Sequence, residues 1–287
     1  MVRDEPLREA KWVVEPRRAG GSARLEELWR YRRTFWFLAN RSRKRMYQRM
    51  TLGVFWVFGR PLLPIVFATI IFGSLLKIPS DGLPYFLFFL TGMSSWMMFE
   101  RGLMWVTRSL QMNRGLVKQV YFPRLLIPIA AVAPVVVEFG VYMGLLAGAF
   151  VYYRVTDGIW YLHVSWGLLV ALFAQVVALV LVIGIGFFTA LAQARHRDVR
   201  YGLRYFLRFW SYGTPLLYPM SQVPEQYQWL MYMNPMAAVV QTFKWGVLGV
   251  DKFPALPLLG AAMLSVGIFA FGFWSFSRGE TAAIDKM

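Results

Sequence analysis

The chain has 287 residues, 57% of them hydrophobic and 16% charged; a soluble globular domain has about 45–50% apolar and about 25% charged residues, so this composition excludes one. Without cysteine, neither a disulfide framework nor a thiolate metal site is available. The formal net charge of +16 is confined to a few polar segments between apolar runs, which points to a membrane and away from nucleic acid as the partner.

Residues 1–21 combine charge, proline and the Gly20-Gly21 pair, and read as a mobile arm. From 22 to 50 a helical period takes over. Leu25, Leu28, Trp29, Phe35, Trp36, Ala39, Met46, Tyr47 and Met50 share one stripe, while Arg30, Arg33, Arg41, Lys44 and Arg45 lie off it. Arg32 and Arg43 interrupt the stripe, but their stems allow the charges to snorkel. A basic helix with a Trp-rich face lies in the membrane interface. The first apolar run begins near residue 51, too late and too long for a cleaved signal, and reads as a permanent anchor.

Six apolar stretches follow, at about 52–76, 84–107, 125–153, 166–193, 203–220 and 255–276. A hydrocarbon core of about 30 Å takes roughly 20 helical residues to cross, so each is expected to span. The expected fold is an all-α membrane protein, with an amphipathic interface helix at 22–50, a six-helix transmembrane domain over 51–278 and a tail at 279–287. Basic residues collect in the N-terminal arm, at 108–124, at 194–208 and after 277, against Lys77, Arg154, Lys244 and Lys252 in the other connections. That asymmetry places both termini in the cytoplasm, and the charge there suits anionic lipid heads. Pro61 and Pro64 in the first span and Pro128 and Pro134 in the third predict kinks. Gly140, Gly144 and Gly148 in the third, with Gly184 and Gly186 in the fourth, predict close helix approach.

Between the second and third spans lies a short basic and aromatic island. Asn113 and Gly115 can start a helix that Pro123 ends. Two turns would then carry Lys118, Gln119, Tyr121 and Phe122 into the cytosol, and Arg124 would open the next span. Residues 221–254 are apolar enough to enter the bilayer but too broken to cross it. Trp229, Tyr232, Phe243 and Trp245 alternate with Pro224, Asn234, Pro235 and Gly246, and two short re-entrant helices meeting at Asn234-Pro235 on the outer face are expected.

Three motifs occur in a meaningful order. The run Lys118-Gln119-Val120-Tyr121-Phe122-Pro123-Arg124, with Asn113 upstream, resembles the coupling helix of polysaccharide ABC exporter permeases, of the O-antigen and teichoic acid type. Thr51-Leu52-Gly53-Val54-Phe55-Trp56 running into Arg60-Pro61-Leu62-Leu63 is similar to the same family's first span. Met233-Asn234-Pro235-Met236 after an aromatic loop is similar to its re-entrant region. Together with the hydropathy, the resemblance covers about residues 25–278. It implies the transmembrane subunit of an ATP-driven exporter in a bacterial inner membrane, moving a lipid-linked polysaccharide. Two copies would surround a path, each docking a P-loop ATPase through Asn113, Lys118, Gln119, Tyr121, Phe122, Pro123 and Arg124.

No Gly-x-x-x-x-Gly-Lys-Ser/Thr loop occurs in the chain, so ATP and Mg are expected on the separate ATPase, with no cofactor here. His163 and His196 fall on opposite membrane faces and cannot share a metal. Ionisable residues inside spans are costly and are candidate sites. Arg60, Glu100, Arg101 and Glu138 are such residues, and either ion pairing or capture of a lipid pyrophosphate accounts for them. Arg60, with Arg41 and Arg45 from the interface helix, is the candidate gate for the pyrophosphate, although the family more often has Gln at the position of Arg60. Tyr205, Phe206, Phe209, Trp210 and Tyr212 run through the fifth span and are the candidate lining of a sugar path, since rings with polar tips suit both faces of a sugar, with a lipid-facing aromatic belt at the interfaces as the other reading. A drug or lipid exporter of the same fold is the alternative. A membrane-embedded transferase would need clustered acids or metal ligands at one face, which the sequence lacks.

Overall fold

The computed structural model describes residues 29–47, 53–119, 122–250 and 252–285. The expected mobile arm at 1–21 lies outside them. Helix α1 (Arg32–Tyr47) is followed by α2 (Gly53–Ala68), which continues as a π-helix over Thr69–Leu75. Next come α3 (Tyr85–Met112), α4 (Arg114–Gln119), α5 (Leu126–Ala130), α6 (Ala133–Thr156), α7 (Gly167–Arg195) and α8 (Val199–Tyr212). A 3-10 turn at Met220–Gln222 leads to α9 (Glu225–Tyr232), α10 (Pro235–Leu248) and α11 (Ala255–Asp285). No strand occurs among the described residues. The expected tail from 279 is the last part of α11, which runs on to Asp285.

Among the described residues, four helical stretches are long and apolar enough to cross a membrane: Trp56–Leu75, Leu126–Thr156, Gly167–Arg195 and Ala255–Glu280. They correspond to the first, third, fourth and sixth expected spans. The second expected span is α3, whose 28 residues suffice in length while Ser94, Ser95, Glu100 and Arg101 dilute its apolar character. The third is broken between α5 and α6 at Ala131-Val132, between the two prolines that predicted a kink there.

The fifth expected span departs from the sequence reading. Helix α8 has 14 residues, about 21 Å of rise, which is short of the hydrocarbon thickness. The chain then turns irregular over 213–219, because Gly213 favours no helix and Pro215 disfavours helical angles at Thr214. Irregular backbone at such depth requires partners for its carbonyls. Lys244 Nζ donates to Pro215 O at 2.8 Å and to Leu216 O at 3.4 Å. Tyr85 Oη donates to Leu217 O at 2.8 Å, and Asn234 Nδ2 to Gly213 O at 3.0 Å.

Helices α3 and α7 form the centre and run parallel. Three polar pairs join them at successive levels: Gln175 Nε2 to Ser95 Oγ at 3.0 Å, Thr107 with Thr189 at 2.7 Å, and Gln193 Nε2 to Gln111 Oε1 at 3.0 Å. The near-constant offset, 80 then 82 positions, is what two helices in register produce. Helix α10 is apolar on nearly every side and is accordingly buried almost throughout. It stops at Gly249, whose φ of 69° is left-handed and whose N–H bonds Trp245 O at 2.9 Å.

Close helix approach occurs at Gly184, where a Cβ would sit 2.7 Å from Phe269 N of α11. Gly186 does the same against Val106 of α3. Gly140, Gly144 and Gly148 behave otherwise: a Cβ at any of them would meet nothing within 4 Å, so the expected approach is not made among the described residues.

A second, smaller core gathers at the end of the bundle that carries α1 and α4. Leu38 and Ala39 of α1 meet Leu110, Val117, Phe122, Leu126, Leu191 and Phe276 there. Helix α1 is thus seated on the bundle by two buried residues and Ser42, with Trp36 and Phe37 left exposed.

Candidate functional site

The basic end is built around the place where α3 stops. Its last carbonyls need donors. Arg45 of α1 supplies one, its Nη1 donating to Met112 O at 2.7 Å and lying 3.4 Å from Asn113 Oδ1. A cation at a helix C-terminus also opposes the negative end of the helix dipole. Burial, and then the nearby charge of Arg41, pulls the Arg45 guanidinium below its usual pKa. Asn113 is buried, its Nδ2 donating to Ser109 O at 2.9 Å, while its own carbonyl accepts from Leu116 N and Val117 N and starts α4.

Two of the predicted roles change accordingly. Asn113 is the buried pivot between α3 and α4 and presents no side chain to a partner. Phe122 is 5% exposed and fills the smaller core, so it is not an aromatic anchor held out to the cytosol. The physical reason is the bend at Phe122 before Pro123, which turns the ring inward. Lys118 and Gln119 form the last turn of α4, Pro123 and Arg124 are half-buried beyond it, and Tyr121 lies outside the described residues.

Higher in the bundle, Arg101 of α3 pairs with Glu138 of α6 at 2.5 Å. Glu100, next to Arg101, accepts from Trp96 Nε1 at 2.8 Å. Arg60 stands exposed on α2, close enough to add its charge to that of Arg101 around Glu138. The expected gate residues are therefore divided. Arg60 is open and beside an ion pair, Arg41 is half-buried, and Arg45 is half-buried with its Nη1 engaged as a helix cap.

Helix α8 has one anchored side and one open side. Leu207 is buried, and Trp210 packs edge-on against Phe99 with centroids 5.1 Å apart. Trp210 Nε1 donates to Asn234 Oδ1 at 2.8 Å. Trp210 is thereby tied to the protein and is half-buried. Tyr205, Phe206, Phe209 and Tyr212 remain exposed, Phe209 the most at 72%. Asn234 also accepts from Met236 N at 2.9 Å, capping α10, and donates to Thr214 Oγ1 at 2.8 Å. Pro235 occupies the first turn of α10, where its missing N–H costs nothing, and Tyr232 packs partly buried on the main core.

Several site residues were not singled out from the sequence. Lys244 is 1% exposed; beyond its two carbonyls, its Nζ lies 3.5 Å from the centroid of the Phe88 ring. A lone lysine in a strongly apolar 14-residue stretch was the available signal. Gln193 ties α7 to α3 and to the start of α8, accepting from Arg200 N at 2.7 Å. Nothing in its surroundings in the sequence marks it.

The long apolar helices, a half-length helix with an open aromatic side, and a basic end organised around a short helix are the features of an all-helical membrane protein. The chain belongs to the ABC-2 type transporter family, whose sequence model matches residues 33–248. It is 24% identical over 238 residues to the O-antigen export system permease protein RfbA of Klebsiella pneumoniae, covering 82% of this chain and 89% of that protein. It is 23% identical over 245 residues to the protein of the same name from Myxococcus xanthus, covering 84% and 90% respectively.

Proposed function

We propose that this chain is the permease of an exporter that carries a lipid-linked polysaccharide, of the O-antigen or teichoic acid kind, out of the cytoplasm across a bacterial inner membrane. The observation that carries the reading is the open side of α8, where Tyr205, Phe206, Phe209 and Tyr212 stay exposed on a helix whose opposite side is held by Phe99 of α3 and by Asn234. Aromatic rings with hydroxyl tips suit a sliding sugar chain, which offers both C–H faces and hydroxyls. The two permeases of similar sequence support the same cargo class.

In this reading two copies of the chain form the path and each docks a P-loop ATPase, which binds ATP and Mg. The ATPase seats on α4 and the residues after it, with Lys118, Gln119, Tyr121 and Arg124 as contacts. Both termini and α1 lie on the cytoplasmic side, where the basic residues are. Counting α3 and the α8 segment gives six membrane elements, with α9 and α10 re-entrant from the outer face. Arg60, helped by Arg41, receives the anionic head of the cargo beside the Arg101–Glu138 pair.

The test is uptake by inverted vesicles carrying the permease with its ATPase. ATP-dependent uptake of a labelled lipid-linked glycan, and none of the same lipid without glycan, is the expected result. Equal uptake of the glycan-free lipid would assign a lipid exporter instead.

A further inference from the structure

Helix α8 carries a second stripe beside its aromatic one. Arg200, Arg204 and Arg208 recur every four residues, so they rise along one side in steps of about 6 Å. On a helical projection the stripe starts beside buried Leu207 at Arg200 and turns outward through Arg204 to Arg208, and Tyr201, Tyr205, Phe209 and Tyr212 follow on its far side from Leu207.

The height of this stripe is fixed at both ends. Below, Gln193 Oε1 accepts from Arg200 N at 2.7 Å and its Nε2 donates to Arg197 O at 3.2 Å, pinning the first turn to the end of α7. Above, Trp210 rests on Phe99, which stands about 20 Å of helical rise from the end of α3 at Met112. Arg208, two residues before Trp210, is therefore carried well into the apolar layer. Arg200 is partly occupied, its Nη2 donating to Tyr201 Oη at 2.6 Å and its guanidinium lying 4.5 Å from that ring's centroid. Arg204 and Arg208 are exposed, and their guanidinium groups have no hydrogen-bond or ion-pair partner among the described residues.

An arginine at this depth does not face lipid tails; it lines water, pairs with an anion or meets protein. The ordinary reason for basic residues near a cytoplasmic end applies to Arg200, at the start of the helix. It does not extend to a third arginine more than two turns higher. The planar guanidinium is suited to bidentate capture of phosphate oxygens.

We propose that Arg200, Arg204 and Arg208 form an anion track that binds the phosphate or pyrophosphate group of the cargo and hands it upward from rung to rung beside the aromatic side of α8. The inference rests on the export reading above and adds to it a site distinct from Arg60, on the other side of α3. Its ligand chemistry is a phosphate ester, whether at the lipid head or along the glycan.

The permease–ATPase complex in phosphatidylcholine nanodiscs tests this with three probes: a polyprenyl pyrophosphate, the matching polyprenyl alcohol, and a lipid-free oligosaccharide bearing phosphodiesters. The wild-type complex is expected to bind the pyrophosphate roughly tenfold tighter than the alcohol, and the Arg204→Gln/Arg208→Gln variant to lose most of that preference. Arg204→Lys/Arg208→Lys should recover part of it, because the charge returns without the fork. Competition by the phosphodiester oligosaccharide places the ligand on the glycan; its absence places it on the lipid head. Retained preference in the Gln variant, or an equal loss for alcohol and pyrophosphate, overturns the track alone. Loss of the two-copy complex in the Gln variant, restored by neither lysine nor probe, makes the arginines a contact between copies and overturns it too. No binding of any probe by the wild-type complex sinks the export reading along with it.

Discussion

The indole N–H of Trp210 donates to Asn234 Oδ1 at 2.8 Å across 24 positions of sequence, and that one bond joins the top of α8 to the start of α10. Asn234 holds Gly213 O, Thr214 Oγ1 and Met236 N as well, so one amide fixes an irregular segment and a helix cap together. Asn234→Ala removes three part-buried hydrogen bonds and one exposed one at once. A loss of about 2 kcal/mol is expected from the lost part-buried hydrogen bonds and the lost cap. Thermal unfolding of the purified protein measures it.

Trp210 and Phe209 are neighbours in sequence with opposite duties. Trp210→Ala should lower the unfolding temperature, because it removes both the Phe99 contact and the bond to Asn234. Phe209→Ala, at a side chain 72% exposed, should leave stability within about 0.5 kcal/mol and reduce glycan uptake. Loss of stability in both variants would show that the open side of α8 is covered by protein.

Phe122 and Tyr121 should separate in the same way. Phe122→Ala empties a buried site and is expected to destabilise by about 3 kcal/mol. Tyr121→Ala is expected to keep the fold and to weaken ATPase docking, read by co-purification of the two subunits. Undiminished co-purification would remove Tyr121 from the docking surface.

Arg101 and Glu138 form an ion pair at 2.5 Å, with the other Glu138 oxygen buried and without a hydrogen-bond partner among the described residues. Removing one partner strands a charge, so Arg101→Met and Glu138→Leu should each destabilise by roughly 3 kcal/mol, whereas the double variant should recover most of it. Arg60→Gln should be tolerated and Arg60→Glu should not, because it adds a second carboxylate beside Glu138. If Glu138→Gln rescues the stability of Arg60→Glu but not its transport, the head-group role of Arg60 stands.

Arg45→Ala should loosen the hold of α1 on the end of α3 and reduce ATPase stimulation by cargo, while insertion into the membrane is retained. Arg45→Lys should restore part of it, since one donor to Met112 O is regained. Full stimulation in Arg45→Ala would show that α1 and α4 work independently.

Hydropathy and charge in the sequence settled the class of fold, because crossing about 30 Å of hydrocarbon demands long apolar helices that any window reveals. The same holds for α4 after Asn113, for the α5–α6 break between Pro128 and Pro134, and for the start of α10 at Asn234-Pro235, where local backbone chemistry acts over a few residues. The inward turn of Phe122, the anchoring of Trp210, the capping of α3 by Arg45 and the capture of the 213–219 carbonyls by Lys244 had to await the tertiary structure. Each depends on which distant group meets an unpaired polar atom or an empty space. Composition reports how apolar a segment is, and not which of its sides another helix will cover. For α8 this mattered most: seen as a run of residues it was a span, and only packing on α3 and α7, with the bond from Trp210 to Asn234, turned one side inward and left rings, Arg204 and Arg208 exposed on the other.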